Sequence, residues 1–260
     1  MADPRYDLAE REIRRAARCL PLPGSAPVAF QEKNGHADIV SKYDKEVEMY
    51  LAGQILTAFP GDGIVGEEME HPHGGGWIWY IDPIDGTTNF VSQLRNYAIS
   101  IACYCQGEPV FGLVYDVAED RLYHARAGGG AFCNGQPITS GKRTALKEMI
   151  LYTPIVQGTL IDDHPLLSGM RRLAGDVRAV RSLGSVALEL CAVAAGEADL
   201  FLAERSCPWD HNAARIILAE AGGAMLTWAG APVPVDRRTN LMAAGRREVL
   251  EQIAAVYWTK

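Results

Sequence analysis

The sequence predicts an α+β fold in which sheets and helices are stacked in layers. Between Tyr97 and Ala125, three apolar runs follow one another with only short turns between them, the pattern of an antiparallel meander. Beyond Leu146, strand-like and helix-like segments alternate instead. A meander joined to alternating units is not a simple doubly wound sheet. At 260 residues the chain suffices for one large domain or two closely packed halves. We expect a single unit over 1–260, with an N-terminal half of 1–145 and a C-terminal half of 146–260. Composition shifts around Gly141 to Leu146, which marks the division.

Leu8, Ile13, Ala16, Ala17 and Leu20 recur at near-helical spacing, and Pro21 to Gly24 ends that first helix. Ser41-Lys42-Tyr43-Asp44 has the form of a capping box opening a second helix, with Val47, Leu51 and Ile55 on its inner face. Ile64-Val65 is a short strand delivering Gly66-Glu67-Glu68, and Met69 to Gly76 reads as a mobile surface loop. Trp77 to Ile81 is a buried strand, expected to stop at Asp82-Pro83 because proline lacks the N–H that a ladder needs. Gly86-Thr87-Thr88 then opens a helix. The meander takes Tyr97–Cys105, Val110–Val117 and Arg121–Ala125, followed by a tight turn at Asn134-Gly135. In the second half, strands are expected at Ile150–Thr153, Val177–Arg181, Asp199–Leu202, Met225–Trp228 and Leu241–Ala244. Helices are expected at Pro165–Leu173, Val186–Ala195, from Cys207-Pro208-Trp209-Asp210 to about Glu220, and at Glu248–Tyr257.

A formal charge of −7 argues against a general nucleic-acid binder. It would also repel a phosphorylated substrate unless bound cations reverse the sign locally. No apolar run is long enough to span a bilayer, and the N-terminus carries no apolar signal core. The six cysteines lack C-x-x-C spacing and suit reduced thiols in a cytoplasmic protein.

Chemistry concentrates at Asp82-Pro83-Ile84-Asp85-Gly86-Thr87-Thr88. Two carboxylates flank a rigid turn and lead into a helix start, where backbone N–H groups favour an anion. That combination points to a divalent cation acting on a phosphate. Taken alone, each acidic spot has a plainer reading. Asp-Pro and Asp-Gly are common turn formers, Glu67-Glu68 could begin a surface turn, Asp44 could be the N3 half of its capping box, and Asp210 could be a helix N-cap.

Together they resemble the inositol monophosphatase family of magnesium-dependent, lithium-sensitive sugar phosphatases. The resemblance rests on Gly66-Glu67-Glu68, the run from Asp82 to Phe90, and Trp209-Asp210 ahead of Ala219-Glu220-Ala221-Gly222-Gly223. Lys33, Asp38-Ile39-Val40-Ser41 with Asp44, Gly130 to Gly135, and Gly184-Ser185 match in the same order, so nearly the whole chain is covered. It implies an αβαβα layered sandwich and a homodimer. It also implies two or three Mg²⁺ ions, held by Glu67, Asp82, the Ile84 carbonyl, Asp85 and Asp210. Catalytic roles would fall to Asp44, Glu68 and Thr87. Substrate would be held by Lys33, Gly86, Thr87, Gly184, Ser185, Glu204 and Asp210. The implied reaction is hydrolysis of a small phosphate monoester, inositol monophosphate first, by metal-activated water. Histidinol phosphate, fructose 1,6-bisphosphate, 3′-phosphoadenosine 5′-phosphate and NADP are alternatives, as is a partner-binding role in a transcription complex. One position departs from the pattern. The family's ring-contacting glutamate, seven residues before the motif aspartate, is Ala203 here, and Glu204 stands one residue out of register.

Overall fold

The computed structural model describes residues 3–33, 39–71, 76–154 and 165–258. In chain order the elements of the first half are α1 (Pro4–Ala17), β1 (Phe30–Glu32), β2 (Ile39–Ser41), α2 (Lys42–Ala58), β3 (Gly63–Gly66), β4 (Glu70–His71), β5 (Trp77–Asp85), α3 (Thr87–Gln93), β6 (Ala98–Cys105), β7 (Glu108–Asp116), β8 (Arg121–Arg126), β9 (Ala131–Cys133) and β10 (Gln136–Ile138). The second half contains β11 (Ile150–Tyr152), α4 (Pro165–Asp176), β12 (Ala179–Arg181), α5 (Val186–Ala194), β13 (Leu200–Ser206), α6 (Pro208–Glu220), β14 (Ala224–Leu226), β15 (Thr239–Ala244) and α7 (Arg247–Ile253).

Two sheets carry the fold. The first runs β10-β9-β8-β7-β6-β5-β3-β4, and the second β12-β11-β13-β15-β14. The expected meander is β6-β7-β8, antiparallel throughout, while β11 pairs in parallel with both β12 and β13. Side-chain alternation along the strands separates three apolar layers. Trp79, Ile81, Ile99, Ile101, Phe111 and Leu113 face α1 and α2, where Ile13, Val47, Leu51 and Ile55 meet them. On the other face Tyr80, Tyr104, Val114 and Tyr123 pack on α5 and α6, whose far side meets Phe201, Ala203, Leu241 and Ala243. Leu200, Leu202 and Met242 point outward onto α4 and α7. The order is helices, sheet, helices, sheet, helices: the αβαβα sandwich.

Four expectations need correcting. The strand from Trp77 does not stop at Pro83 but continues to Asp85. A register shift between Asp82 and Asp85 accommodates the turn, and β3 has already ended opposite Ile81, leaving that flank of β5 open. Bulges and open flanks are where a sheet tolerates proline. The stretch after Met69 is not all loop, because Glu70–His71 pairs with Ile64 and Val65 as β4; residues 72–75 lie outside the described residues. β13 runs beyond Leu202 to Ser206. Asp210 is not a helix N-cap: Cys207 holds that position and Asp210 is N3 of its capping box.

All six cysteines are unpaired. Among the described residues no helix is long and apolar enough to cross a membrane.

Candidate active site

The β5 bulge turns the Asp82 side chain back over its own turn, where Oδ1 accepts the Ile84 N–H at 3.0 Å. Gly86 follows with φ 96°, and a Cβ there would lie 2.9 Å from the Asn96 carbonyl oxygen. Both facts demand glycine. The chain then enters α3 with no side chain capping its first turn.

Asp44 has two duties. Its Oδ2 accepts the Ser41 N–H at 2.8 Å and the Ser41 hydroxyl at 2.7 Å, completing the capping box of α2. Its Oδ1 lies 3.2 Å from Thr87 Oγ1, which is also 3.1 Å from the Ile84 carbonyl oxygen. One hydroxyl proton is thus shared between a carboxylate and a carbonyl. Burial raises the Asp44 pKa, while the bonds from Ser41 and Thr87 hold it down.

Glu67 and Glu68 are placed from below by Glu48, a fully buried residue of α2. Its two oxygens accept the Glu68 N–H at 2.9 Å and the Met69 N–H at 2.8 Å. Burial pushes the Glu48 pKa up to about 7. Lys33 donates to Glu67 Oε1 at 3.0 Å and also to Glu68. Burial opposes the charge on Lys33, but the two glutamates outweigh it and raise its pKa. We expect Glu48→Ala to leave the half-buried N–H groups of Glu68 and Met69 without their acceptor, lowering stability by about 1–3 kcal/mol. Apparent Mg²⁺ affinity should fall with it; thermal melts with and without Mg²⁺ measure both.

Asp85 is held from the other half of the chain. Ser185 Oγ donates to its Oδ2 at 2.5 Å, Ala187 N–H to Oδ2 at 2.6 Å, and Val186 N–H to Oδ1 at 3.2 Å. The start of α5 therefore fixes both oxygens. Burial raises the Asp85 pKa to about 6 against the pull of those bonds. Asp210 accepts the Cys207 N–H at 2.7 Å. Burial and then the charge on Asp85 push its pKa up to about 8. Asp82 is raised well above the carboxylate range, by burial first and then by Glu67, Asp85 and Asp210.

Lys33, Glu67, Asp82, Ile84, Asp85, Gly86, Thr87 and Asp210 surround one cavity of about 610 Å³. Cys207, Trp209 and Arg238 complete its lining. Asp44, Glu68, Gly184, Ser185 and Glu204 are not part of the lining. Asp44 reaches it through Thr87, and Ser185 through Asp85. Asp38 lies outside the described residues. Cys207 and Trp209 flank a motif visible in the sequence, but Arg238 does not; only the pairing of β13 with β15 brings it here.

Among the described residues, no three Asp, Glu, His or Cys side chains close on one point tightly enough to hold an ion as placed. Lys33 draws Glu67 toward itself, and α5 engages both oxygens of Asp85. The donor chemistry nonetheless fits Mg²⁺. Every donor is a hard oxygen, and the buried carboxylates repel one another until a cation compensates them.

A model of the inositol monophosphatase family matches residues 8–260. The chain belongs to that family. A Bacillus subtilis (strain 168) protein named inositol-1-monophosphatase is 40% identical over 243 residues, covering 91% of this chain and 90% of that protein. Inositol monophosphatase 1 of Rattus norvegicus is 35% identical over 269 residues, covering 98% and 95%. The crystal structure of inositol monophosphatase-II from Staphylococcus aureus MSSA476 superposes with a TM-score of 0.84 at 30% identity, over 98% of this chain and 93% of that one. This family member is a phosphatase that hydrolyses phosphate monoesters.

Proposed function

We propose that this phosphatase hydrolyses small polyol phosphates, with inositol monophosphate as the first substrate to test and Mg²⁺ as its cofactor. The observation that carries the reading is the gathering of Glu67, Asp82, the Ile84 carbonyl, Asp85 and Asp210 around one cavity with Gly86 and Thr87. The substrate named by its relatives supports it further.

Glu67, Asp82 and the Ile84 carbonyl would hold one ion; Asp82, Asp85 and Asp210 would hold a second. When bound, Mg²⁺ supplies charge neutralisation and lowers the pKa of a water. The chain's own groups do the rest. Backbone N–H groups at Gly86 and Thr87 bind the phosphoryl oxygens at a helix start. The Thr87 hydroxyl, poised between Asp44 and the Ile84 carbonyl, orients the attacking water, and Asp44 stands behind it to share the proton. Glu68 helps to place Lys33, which it shares with Glu67. The two halves, 1–145 and 146–260, act as one unit, because each contributes ligands. From the family resemblance we carry further a homodimer, competition by lithium at the second ion's position, and a cytoplasmic setting.

Phosphate release from inositol monophosphate should appear with Mg²⁺ and vanish in excess chelator. Asp85 and Asp210, raised to about 6 and about 8, keep protons that an ion must displace. Apparent Mg²⁺ affinity should therefore weaken as pH falls from 8 to 6. Unfolded aspartates titrate near 3.9. Without metal, these two groups thus contribute stability that is full below about pH 4 and lost as pH rises through about 6 to 8. Thermal melts across that range with and without Mg²⁺ check the sign. Metal-independent release would defeat the reading.

A further inference from the structure

Arg238 sits in the wall of the cavity because of strand register. Ser206 of β13 pairs with Thr239 of β15, so the next position outward sets Arg238 opposite Cys207, at the start of the helix that carries Asp210. Both residues line the cavity. The neighbouring arginines have acidic partners: Arg237 lies 3.6 Å from Asp236, and Arg205 lies 4.0 Å from Glu204. The other cation of the lining, Lys33, is bound to Glu67 and Glu68. Among the described residues Arg238 has no ion pair or hydrogen bond, and it is exposed to solvent. Its charge reaches Asp210 and Cys207 only through space.

β13 adds no carboxylate of its own to this side of the cavity. Ala203 is fully buried in β13, packed among the apolar side chains between the sheets. A register shift between Ala203 and Ser206 follows it, and Glu204 stays beside Arg205, outside the lining. A substrate hydroxyl therefore meets no carboxylate from β13. What it meets just ahead of β15 is an unpaired guanidinium, whose planar fork matches a phosphate with two parallel hydrogen bonds.

We propose that Arg238 is a specificity residue that recognises a second phosphate on the alcohol part of the substrate, so that small bisphosphates are preferred to the corresponding monophosphates. The inference rests on the hydrolase reading above: the phosphate to be cleaved lies at Gly86 and Thr87 from the first half, and the second phosphate lies against Arg238 from the second. A charge-assisted bond of this kind corresponds to about ten- to a hundredfold in kcat/KM. Because the contact is made before and during reaction alike, the gain should appear mainly in KM.

The test measures phosphate release by the wild-type enzyme with Mg²⁺ on two matched pairs. One is inositol 1-phosphate with inositol 1,4-bisphosphate, and the other adenosine 2′-monophosphate with adenosine 2′,5′-bisphosphate. The readout is the ratio of kcat/KM, bisphosphate over monophosphate. We expect a ratio of at least about ten in one pair, and that pair tells whether a polyol or a nucleoside carries the second phosphate. In Arg238→Gln the ratio should fall toward one through a rise in KM, and in Arg238→Lys it should be intermediate. The proposal is overturned by a wild-type ratio near one in both pairs. It is equally overturned if Arg238→Gln lowers both esters of a pair alike, since the arginine then acts only on the general field of the site. Turnover of the monophosphates alone would leave the hydrolase standing and remove this inference; no metal-dependent release from any of the four would remove both.

Discussion

Asp82→Asn should yield a folded protein whose Mg²⁺-dependent phosphatase activity is lower by at least about two orders of magnitude. Asp82 is 3% exposed, and its carboxylate faces burial together with the charges of Glu67, Asp85 and Asp210. An amide of the same shape removes one of those repelling charges and keeps an oxygen to accept the Ile84 N–H. Metal-free stability should therefore hold or rise. The proposed bridging position between two ions, however, needs an anionic oxygen, and an amide supplies none. Asp210→Asn should behave the same way, since its amide oxygen can still accept the Cys207 N–H and preserve the capping box. Turnover at saturating Mg²⁺, read beside the melting temperature, decides the matter. Near-normal turnover in either variant would defeat the metal assignment. Asp44→Asn is a less clean probe, because the same carboxylate caps α2.

A large stability effect is expected at Gly112, where no ionisable group is involved. There β7 passes so close to α6 that a Cβ would overlap the Ala213 carbonyl oxygen and lie 2.9 Å from its carbonyl carbon. The obstacle is backbone, which cannot rotate away as a side chain can. Gly112→Ala should cost about 3 kcal/mol by overpacking, a drop in Tm of roughly 6–12 °C for a domain of this size. Because α6 begins with the turn that carries Asp210, pushing the helix off the sheet should also weaken catalysis. Gly53→Ala is the control. It lies exposed within α2 with nothing near its Cβ position, so it should gain about 0.5–1 kcal/mol from helix propensity. Equal Tm values for the two variants would show that the helix–sheet approach is looser than described.

Layering and motif were legible in the sequence because both are local. The meander shows as period-two apolar runs. The capping box of α2 shows as Ser41 and Asp44, and the helix after Gly86 shows through its glycine. What stayed hidden depends on neighbours distant in the chain. Proline at 83 was expected to end a strand, but β3 stops opposite Ile81 and frees that flank. Ser185 looked like a substrate-facing residue, yet it is buried and bonded to Asp85, a hundred positions away in the chain. Glu48 is one more acidic residue on a helix until the fold lays the Glu68 and Met69 amides on it. Arg238 carries no local signal at all, since its place is set by the register of β15 against β13.

The grip of α5 on Asp85 has a mechanical meaning. Ser185, Val186 and Ala187 belong to the later portion of the polypeptide, and Asp85 to the earlier one. One carboxylate thus works as a rivet across the seam. Cargo that settles against Asp85 therefore touches both sides of that seam at once, so loading the site should brace the molecule as a body.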